Sequence, residues 1–341
     1  MEYNLLGQTG LLVSEFCLGT MTFGDHTKFK GIGGLNELDA ENLVKIAVDF
    51  GINFFDSANS YSDGRSEEML GKSIKNLGLQ RDSLIIATKV RMSVGKGPND
   101  CGLSRKHILV EVEKSLKRLK TDYIDLYQIH AHDPSTSLEE TLRVLDDLVR
   151  SGKVRYIGAS NFPAWRLSMA LSFSEFKNLE KFVALQAYYT VAARDLEREI
   201  IPLLDNQQLG LLIWSPLAGG LLSGKYKREL DKNVGRRNTV DYPPVNLEKL
   251  FMILDVLKPI ADAHNVSVAQ VSLAWLLQQK AVTSIIIGAK NKVQLEDNIK
   301  SSSLNLTDSE LKKINEISKL SPEYPGWVIE YSRGNRKRYN L

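Results

Sequence analysis

The chain has 341 residues, 43% of them hydrophobic and 25% charged, which suits a large folded core and excludes a disordered or fibrous chain. Its 44 basic and 41 acidic residues leave a formal charge of +3, a balance that argues against a nucleic-acid surface. Two cysteines, Cys17 and Cys101, cannot make a disulfide framework, and together with a start (Met1-Glu2-Tyr3-Asn4) that lacks a signal-peptide pattern they point to a cytoplasmic protein.

No apolar run approaches the roughly 18 residues of a membrane span, so no membrane partner is expected. Residues 3–13 read as a hairpin turning at Gly7-Gln8-Thr9-Gly10, and Glu15–Leu18 as a short strand ending at Gly19-Thr20-Met21. Residues 24–38 read as a glycine-rich loop; Gly31-Ile32-Gly33-Gly34 follows no strand and is not a dinucleotide fingerprint.

A rhythm then sets in. Asp39 is expected to cap a helix with Leu43, Ile46, Ala47 and Phe50 on one face, and Asn53–Asp56 to form a strand. Ser66, followed by Glu67 and Glu68, is expected to cap the next helix. Strands follow at Leu84–Thr88, Tyr123–Ile129, Val154–Ala159, Phe182–Ala187, Gly210–Trp214 and Ser284–Ile287, with helical patterns between them. Ser137 with Glu140, and Thr307 with Glu310, have the spacing of capping boxes. The basic run from Arg333 to Arg338 reads as a solvated tail.

The strands are continuous apolar runs, buried on both faces, and they alternate with helices, which implies a parallel sheet. Eight such units predict an α/β fold, a (β/α)₈ TIM barrel with an N-terminal hairpin and a C-terminal helical extension. A doubly wound sheet is the alternative, although the first βα turn lacks its phosphate loop. No linker rich in Pro, Gly or Ser divides the chain, so one domain over residues 1–341 is expected, with its core at about 13–318.

In a barrel the carboxyl ends of neighbouring strands converge on one mouth. Asp56, Tyr61, Lys89 and His130 all fall at or just beyond such ends. Together they suit proton donation to a carbonyl oxygen. The tyrosine is the acid, the lysine ammonium lowers its pKa, the carboxylate anchors the lysine, and the histidine orients the substrate oxygen. No nucleophile with a base and no metal-ligand spacing accompanies them, so an outside hydride donor is implied.

These blocks resemble a known family. Phe55-Asp56-Ser57-Ala58-Asn59-Ser60-Tyr61 with Ser66-Glu67-Glu68-Met69-Leu70-Gly71 is similar to the aldo-keto reductase signature. Ala87-Thr88-Lys89, Leu126–His130, Gly152–Gly158 with Ser160-Asn161, and Trp214–Gly220 match further blocks, in order, over nearly the whole chain. The resemblance is closest to the microbial branch that includes potassium-channel beta subunits.

It implies an NADPH-dependent carbonyl reductase with Asp56, Tyr61, Lys89 and His130 as catalytic residues and a small carbonyl compound as substrate. It also implies that the nicotinamide lies against Trp214, with Ser160, Asn161 and Gln186 at its carboxamide and Gly19, Thr20, Met21 and Asp56 nearby. Ser215, Leu217, Gly219, Gly220, Gly224 and Lys225 would wrap the pyrophosphate. Gly288, Lys290, Gln294, Asp297 and Asn298 would hold the adenosine end, where a cation beside a helix N-terminus suits a phosphate.

The sequence departs from the family at Asn291, where a hydroxyl residue is common. Ser62 replaces a glycine, and His132 stands where tryptophan is frequent. The loop at 24–38, Trp327 and Tyr331 are expected to shape the pocket. The resemblance leaves open a second reading, a cofactor-binding regulatory subunit that binds a partner protein, and nothing in the sequence selects a monomer over a ring.

Overall fold

The computed structural model describes residues 1–25, 31–226, 228 and 240–333; the basic tail beyond Arg333 and part of the 24–38 loop lie outside them. The chain opens on an antiparallel hairpin, β1 (Tyr3–Leu5) and β2 (Leu12–Ser14). Eight parallel strands follow: β3 (Phe16–Gly19), β4 (Phe54–Asp56), β5 (Ile85–Val90), β6 (Ile124–Ile129), β7 (Val154–Ser160), β8 (Phe182–Tyr188), β9 (Gly210–Trp214) and β10 (Ser284–Ile287). They pair in sequence order, and β10 pairs back onto β3 through Ile286 and Cys17, so the sheet closes. Closure makes this a (β/α)₈ barrel and removes the doubly wound alternative.

Burial on both strand faces follows the continuous apolar runs. Cys17, Phe54, Ile85, Ala87, Leu126, Ala184, Leu212 and Ile286 form a cluster inside the barrel. The alternate residues, such as Leu18, Phe55, Ile86, Tyr127 and Ile129, pack outward into the larger core beneath the helices. Those helices include α1 (Glu37–Asp49), α2 (Arg65–Asn76), α3 (Arg105–Leu119), α4 (Leu138–Arg150), α5 (Ala164–Lys177) and α6 (Ile200–Gln207). The set continues with α7 (Leu247–His264), α8 (Val268–Leu277), α9 (Lys292–Lys300), α10 (Asp308–Ser318) and α11 (Gly326–Arg333).

The hairpin plugs the amino end of the barrel. Leu6 is fully buried, and Gly7 (φ 61) lies so close to the strands that a Cβ there would stand 2.4 Å from the Val183 carbonyl oxygen. At the other end the register brings polar residues level: Gly19 pairs with Asp56, Lys89 with Gln128, and Ser160 with Gln186.

Three cap expectations are corrected. Asn36, not Asp39, caps α1, and its side chain accepts from the Asp39 N–H. Gly64 in a left-handed conformation precedes α2, so Ser66 lies inside the helix, where its hydroxyl donates to the Thr20 carbonyl at 2.7 Å. Ser137 does cap α4, but Glu140 accepts from the Arg105 N–H at the start of α3 instead of closing a box. The Thr307–Glu310 box forms as expected.

Candidate active site

The barrel mouth is organised around one buried carboxylate. Asp56, at the end of β4 and 2% exposed, accepts Lys89 Nζ at 2.5 Å on Oδ2. Its other oxygen accepts Gln128 Nε2 at 3.1 Å and Gln186 Nε2 at 2.9 Å. Lys89 is fully buried on β5 and also donates to the Ser57 carbonyl at 2.8 Å and to Tyr61 Oη at 3.3 Å. Burial favours the neutral amine, but the Asp56 carboxylate and the Tyr61 hydroxyl outweigh it and hold Lys89 above its ordinary range. A buried cation with three oxygen partners stays charged.

Tyr61 begins a short helical turn (Tyr61–Gly64) whose next residues, Ser62 and Asp63, have φ of 49° and 55°. This is the left-handed region that glycine enters freely, and Ser62 is held in it by a 2.7 Å hydrogen bond from its hydroxyl to the Phe23 carbonyl. The Tyr61 ring lies edge-on to His130, centroid to centroid 5.8 Å, and Lys89 Nζ lies 4.9 Å from its own centroid. Burial, then the Lys89 and Arg91 cations, push the His130 pKa well below the usual imidazole range, so this ring is neutral at neutral pH. The four residues singled out from the sequence are therefore brought to one place.

Two layers support them. Gln128 and Gln186 brace Asp56 from β6 and β8, a role the sequence does not reveal because a glutamine inside an apolar strand looks like any satisfied core residue. Behind the site, Glu67 on α2 is fully buried; it accepts from Thr88 Oγ1 at 2.5 Å and from Arg118 Nε at 2.6 Å. Glu111 on α3 accepts Asn59 Nδ2 at 2.8 Å, and the Asn59 N–H donates to the Lys89 carbonyl at 3.1 Å. These bonds fix the loop carrying Tyr61 against the strand carrying Lys89.

The residues expected at the nicotinamide end are tied to one another. Asn161 (φ 55) donates from Nδ2 to the His130 carbonyl at 3.0 Å and to Ser160 Oγ at 2.9 Å. Its Oδ1 accepts Trp214 Nε1 at 3.1 Å. Trp214 stacks with Tyr188 at 5.0 Å and with Tyr242 at 5.8 Å. Thr20 donates from both its backbone N–H and its hydroxyl to the Asp56 carbonyl. Gly19 packs so tightly that a Cβ would lie 2.7 Å from Ile286 Cγ2.

Beyond Trp214, Ser215, Ala218, Gly219, Gly220 and Gly224 have φ of 53°, 51°, 67°, 95° and 79°. These left-handed residues make a tight turn bonded within itself: the Ala218 N–H donates to the Ser215 carbonyl at 2.9 Å, the Gly220 N–H to the Leu217 carbonyl at 2.9 Å and the Gly219 N–H to Ser215 Oγ at 3.2 Å. Leu217 precedes this turn, and the Lys225 ammonium lies 3.9 Å from where a Gly220 Cβ would be.

Past β10, Gly288 leaves room for a Cβ, and Lys290 Nζ donates to the Gly31 carbonyl at 2.8 Å. Asn291 caps α9 by accepting the Gln294 N–H, and Gln294 Oε1 accepts the Lys290 N–H. Asp297 faces α8, where it accepts Ser267 Oγ and Gln270 Nε2, both at 2.8 Å; Asn298 is buried. Trp327 and Tyr331, expected as pocket walls, lie 55% and 82% exposed on α11. No helix among the described residues is long and apolar enough to cross a membrane.

Comparison with known proteins agrees with this architecture. One family profile, described as Aldo/keto reductase family, matches residues 15–319. The chain is 39% identical to an uncharacterized oxidoreductase, YrpG, of Bacillus subtilis, covering 93% of this chain and 96% of that protein. It is 36% identical to a probable voltage-gated potassium channel subunit beta of Arabidopsis thaliana, covering 95% and 99% of the two chains. It is 34% identical to versiconal hemiacetal acetate reductase of Aspergillus parasiticus, covering 96% and 99%. A closed parallel barrel matched by that profile along nearly its whole length belongs to the Aldo/keto reductase family, and the chain is an oxidoreductase of carbonyl compounds.

Proposed function

We propose that this protein reduces an aldehyde or ketone to the alcohol, with Tyr61 as the acid that protonates the carbonyl oxygen and NADPH as the reductant. The observation that carries the reading is the buried Asp56–Lys89–Tyr61 chain, 2.5 Å and 3.3 Å in its two links, ending at the mouth of the barrel. NADPH, when bound, supplies the hydride to the carbonyl carbon. Tyr61 gives its phenolic proton to the oxygen, and the Lys89 ammonium stabilises the phenolate left behind. Asp56 keeps Lys89 charged and still. His130 has its Nδ1 buried without a partner, so the hydrogen bond that orients the carbonyl oxygen falls to Nε2.

The donor set suits such a cofactor. The turn from Ser215 to Gly224 forms a cradle whose glycines let a pyrophosphate approach the backbone closely, and Lys225 beside it offers a cation. Lys290, next to the N-terminus of α9, offers a second cation for the phosphate at the adenosine end, which favours NADPH over NADH.

The test is loss of NADPH absorbance with a panel of aldehydes, run on wild type and Tyr61→Phe. The wild type should turn over. The variant should lose roughly 10²–10⁴-fold in kcat while still binding NADPH. Turnover that survives the substitution would remove Tyr61 from the acid role. NADPH bound tightly with no turnover on any carbonyl would favour the second reading, a cofactor-binding regulatory subunit; one relative is described as a probable voltage-gated potassium channel subunit beta.

A further inference from the structure

Helix α5 begins with a cation at its positive end, set 5.7 Å from the Trp165 ring centroid and without an anionic partner among the described residues. Its N-cap is Pro163, with no side-chain cap, and its first turn holds no acid but does hold Arg166. A helix N-terminus carries partial positive charge, so an arginine there is misplaced unless an anion joins it. Helix α3 shows the usual remedy. It too starts on a basic residue, but Arg105 pairs with Asp147 at 2.6 Å and its N–H donates to Glu140 at 2.9 Å. Arg166 has no ion pair among the described residues, and its Nε is buried without a hydrogen-bond partner.

Arg91 carries a second guanidinium with no ion pair among the described residues, although its charge also acts on Asp133. Arg91, just past β5, is half-buried; the hydrogen bond it donates, from Nη1 to Met92 Sδ at 3.5 Å, is to a weak acceptor. Its φ is 132°, far from where a side chain normally sits, and strain of this kind persists where the surroundings or a function impose it.

Both arginines act electrostatically on the same histidine, and the segments that carry them meet around it. His132 follows β6, between β5 and β7 in the barrel, and its ring lies 5.7 Å from Phe162, the residue just before Pro163 at the start of α5. The loop after Arg91 closes onto the same turn, since the Gly102 N–H donates to the Arg91 carbonyl and the Leu103 N–H to Asp133. Burial, then Arg166, lower the His132 pKa, with Arg91 adding to the effect. Asp133, the acid of this cluster, is taken up by the Leu103 and Ser135 N–H groups and the Thr136 hydroxyl. The cluster lies on the β5–β7 side of the mouth, across from the Lys225 and Lys290 cations after β9 and β10, so it is separate from the proposed cofactor cradle.

We infer that Arg91, Arg166 and the open N-terminus of α5 form a subsite for an anionic oxygen group, carboxylate or phosphate, carried by the carbonyl substrate at a distance from its C=O. This rests on the carbonyl-reductase reading and narrows it to charged aldehydes or ketones. The guanidinium forks suit a planar or tetrahedral oxyanion, and His132 beside them offers a further ring nitrogen to it.

The experiment compares kcat/KM for 4-carboxybenzaldehyde, 4-formylphenyl phosphate and the neutral methyl 4-formylbenzoate, with NADPH. Wild type should prefer at least one anion by about tenfold or more, and which one distinguishes carboxylate from phosphate. Arg166→Met should bring that ratio near one, mainly through KM. Arg91→Gly should lower it too, while raising Tm as the strained φ relaxes, a combination that a merely structural arginine would not give. A wild-type ratio near one for both anions overturns the subsite but leaves the reductase reading standing. If no aldehyde is reduced, the reductase reading fails, and calorimetric titration with 4-methylbenzoate and with phenyl phosphate reads the subsite directly. Binding weakened by Arg166→Met then upholds it, and absence of binding overturns it.

Discussion

Asp56 concentrates the site in one side chain. It is the shared acceptor for Lys89, Gln128 and Gln186, and the ammonium it faces has no exposure at all. Removing one partner of a buried pair is far more costly than removing both, because a lone buried charge remains. Asp56→Asn should therefore lower stability by about 3–5 kcal/mol in chemical denaturation. Lys89→Met added to it should restore part of that loss, and a double variant no more stable than Asp56→Asn would argue against a charged Lys89. Asp56, Lys89 and His130 were legible in the sequence because an apolar run that stops on an ionisable residue marks a strand end, and Tyr61 because it lies in the loop just after the first of them. Gln128 was not, and Gln186 was named only for the cofactor contact that the resemblance implies; that both brace Asp56 is known only once the barrel closes. Nor was the Glu67–Arg118–Glu111 network, whose members sit on separate helices and meet only through packing.

At the scale of elements, local chemistry predicted helices well and their first residues less well. Asn36, Gly64 and Glu140 show why: several residues near a boundary can cap, and the choice depends on neighbours from distant sequence, such as the Arg105 N–H that takes Glu140. The hairpin plug gives a sharper test of tertiary contact. Gly7 and Gly78 have nearly the same φ, 61° and 63°, but Gly78 has open space around it while Gly7 abuts Val183. Alanine at Gly78 should cost only the left-handed conformation, about 1–2 kcal/mol. Alanine at Gly7 should cost that plus the displacement of the hairpin from the barrel floor, roughly 1–3 kcal/mol more. Equal losses in thermal or denaturant unfolding of the two variants would mean that the hairpin yields freely and is no plug.

For the whole molecule, the eightfold alternation of strand and helix was readable because each strand is buried on both faces, and that same closure determines how stability responds to acid. His130 is buried beside Lys89 and Arg91, which depress its folded pKa well below the unfolded value of 6.5. The unfolded chain then binds a proton below about pH 6.5 that the folded chain refuses, so stability is full above that pH and declines as pH falls toward the folded pKa. His132, lowered by burial and by Arg166, adds in the same direction. Glu15 and Asp125 are raised by burial and act with the opposite sign, from their unfolded values of 4.5 and 3.8 upward, so the difference between wild type and a His130 variant is what isolates the histidine. Between pH 7.5 and 5.5 the His130 contribution can reach at most about 1.4 kcal/mol. Urea unfolding at those two pH values should show the wild type losing stability on acidification and His130→Gln losing distinctly less. An unchanged slope in the variant would mean that His130 accepts its proton in the folded state, and the imidazole would then meet the carbonyl as a cation rather than as the neutral hydrogen-bond donor its surroundings favour.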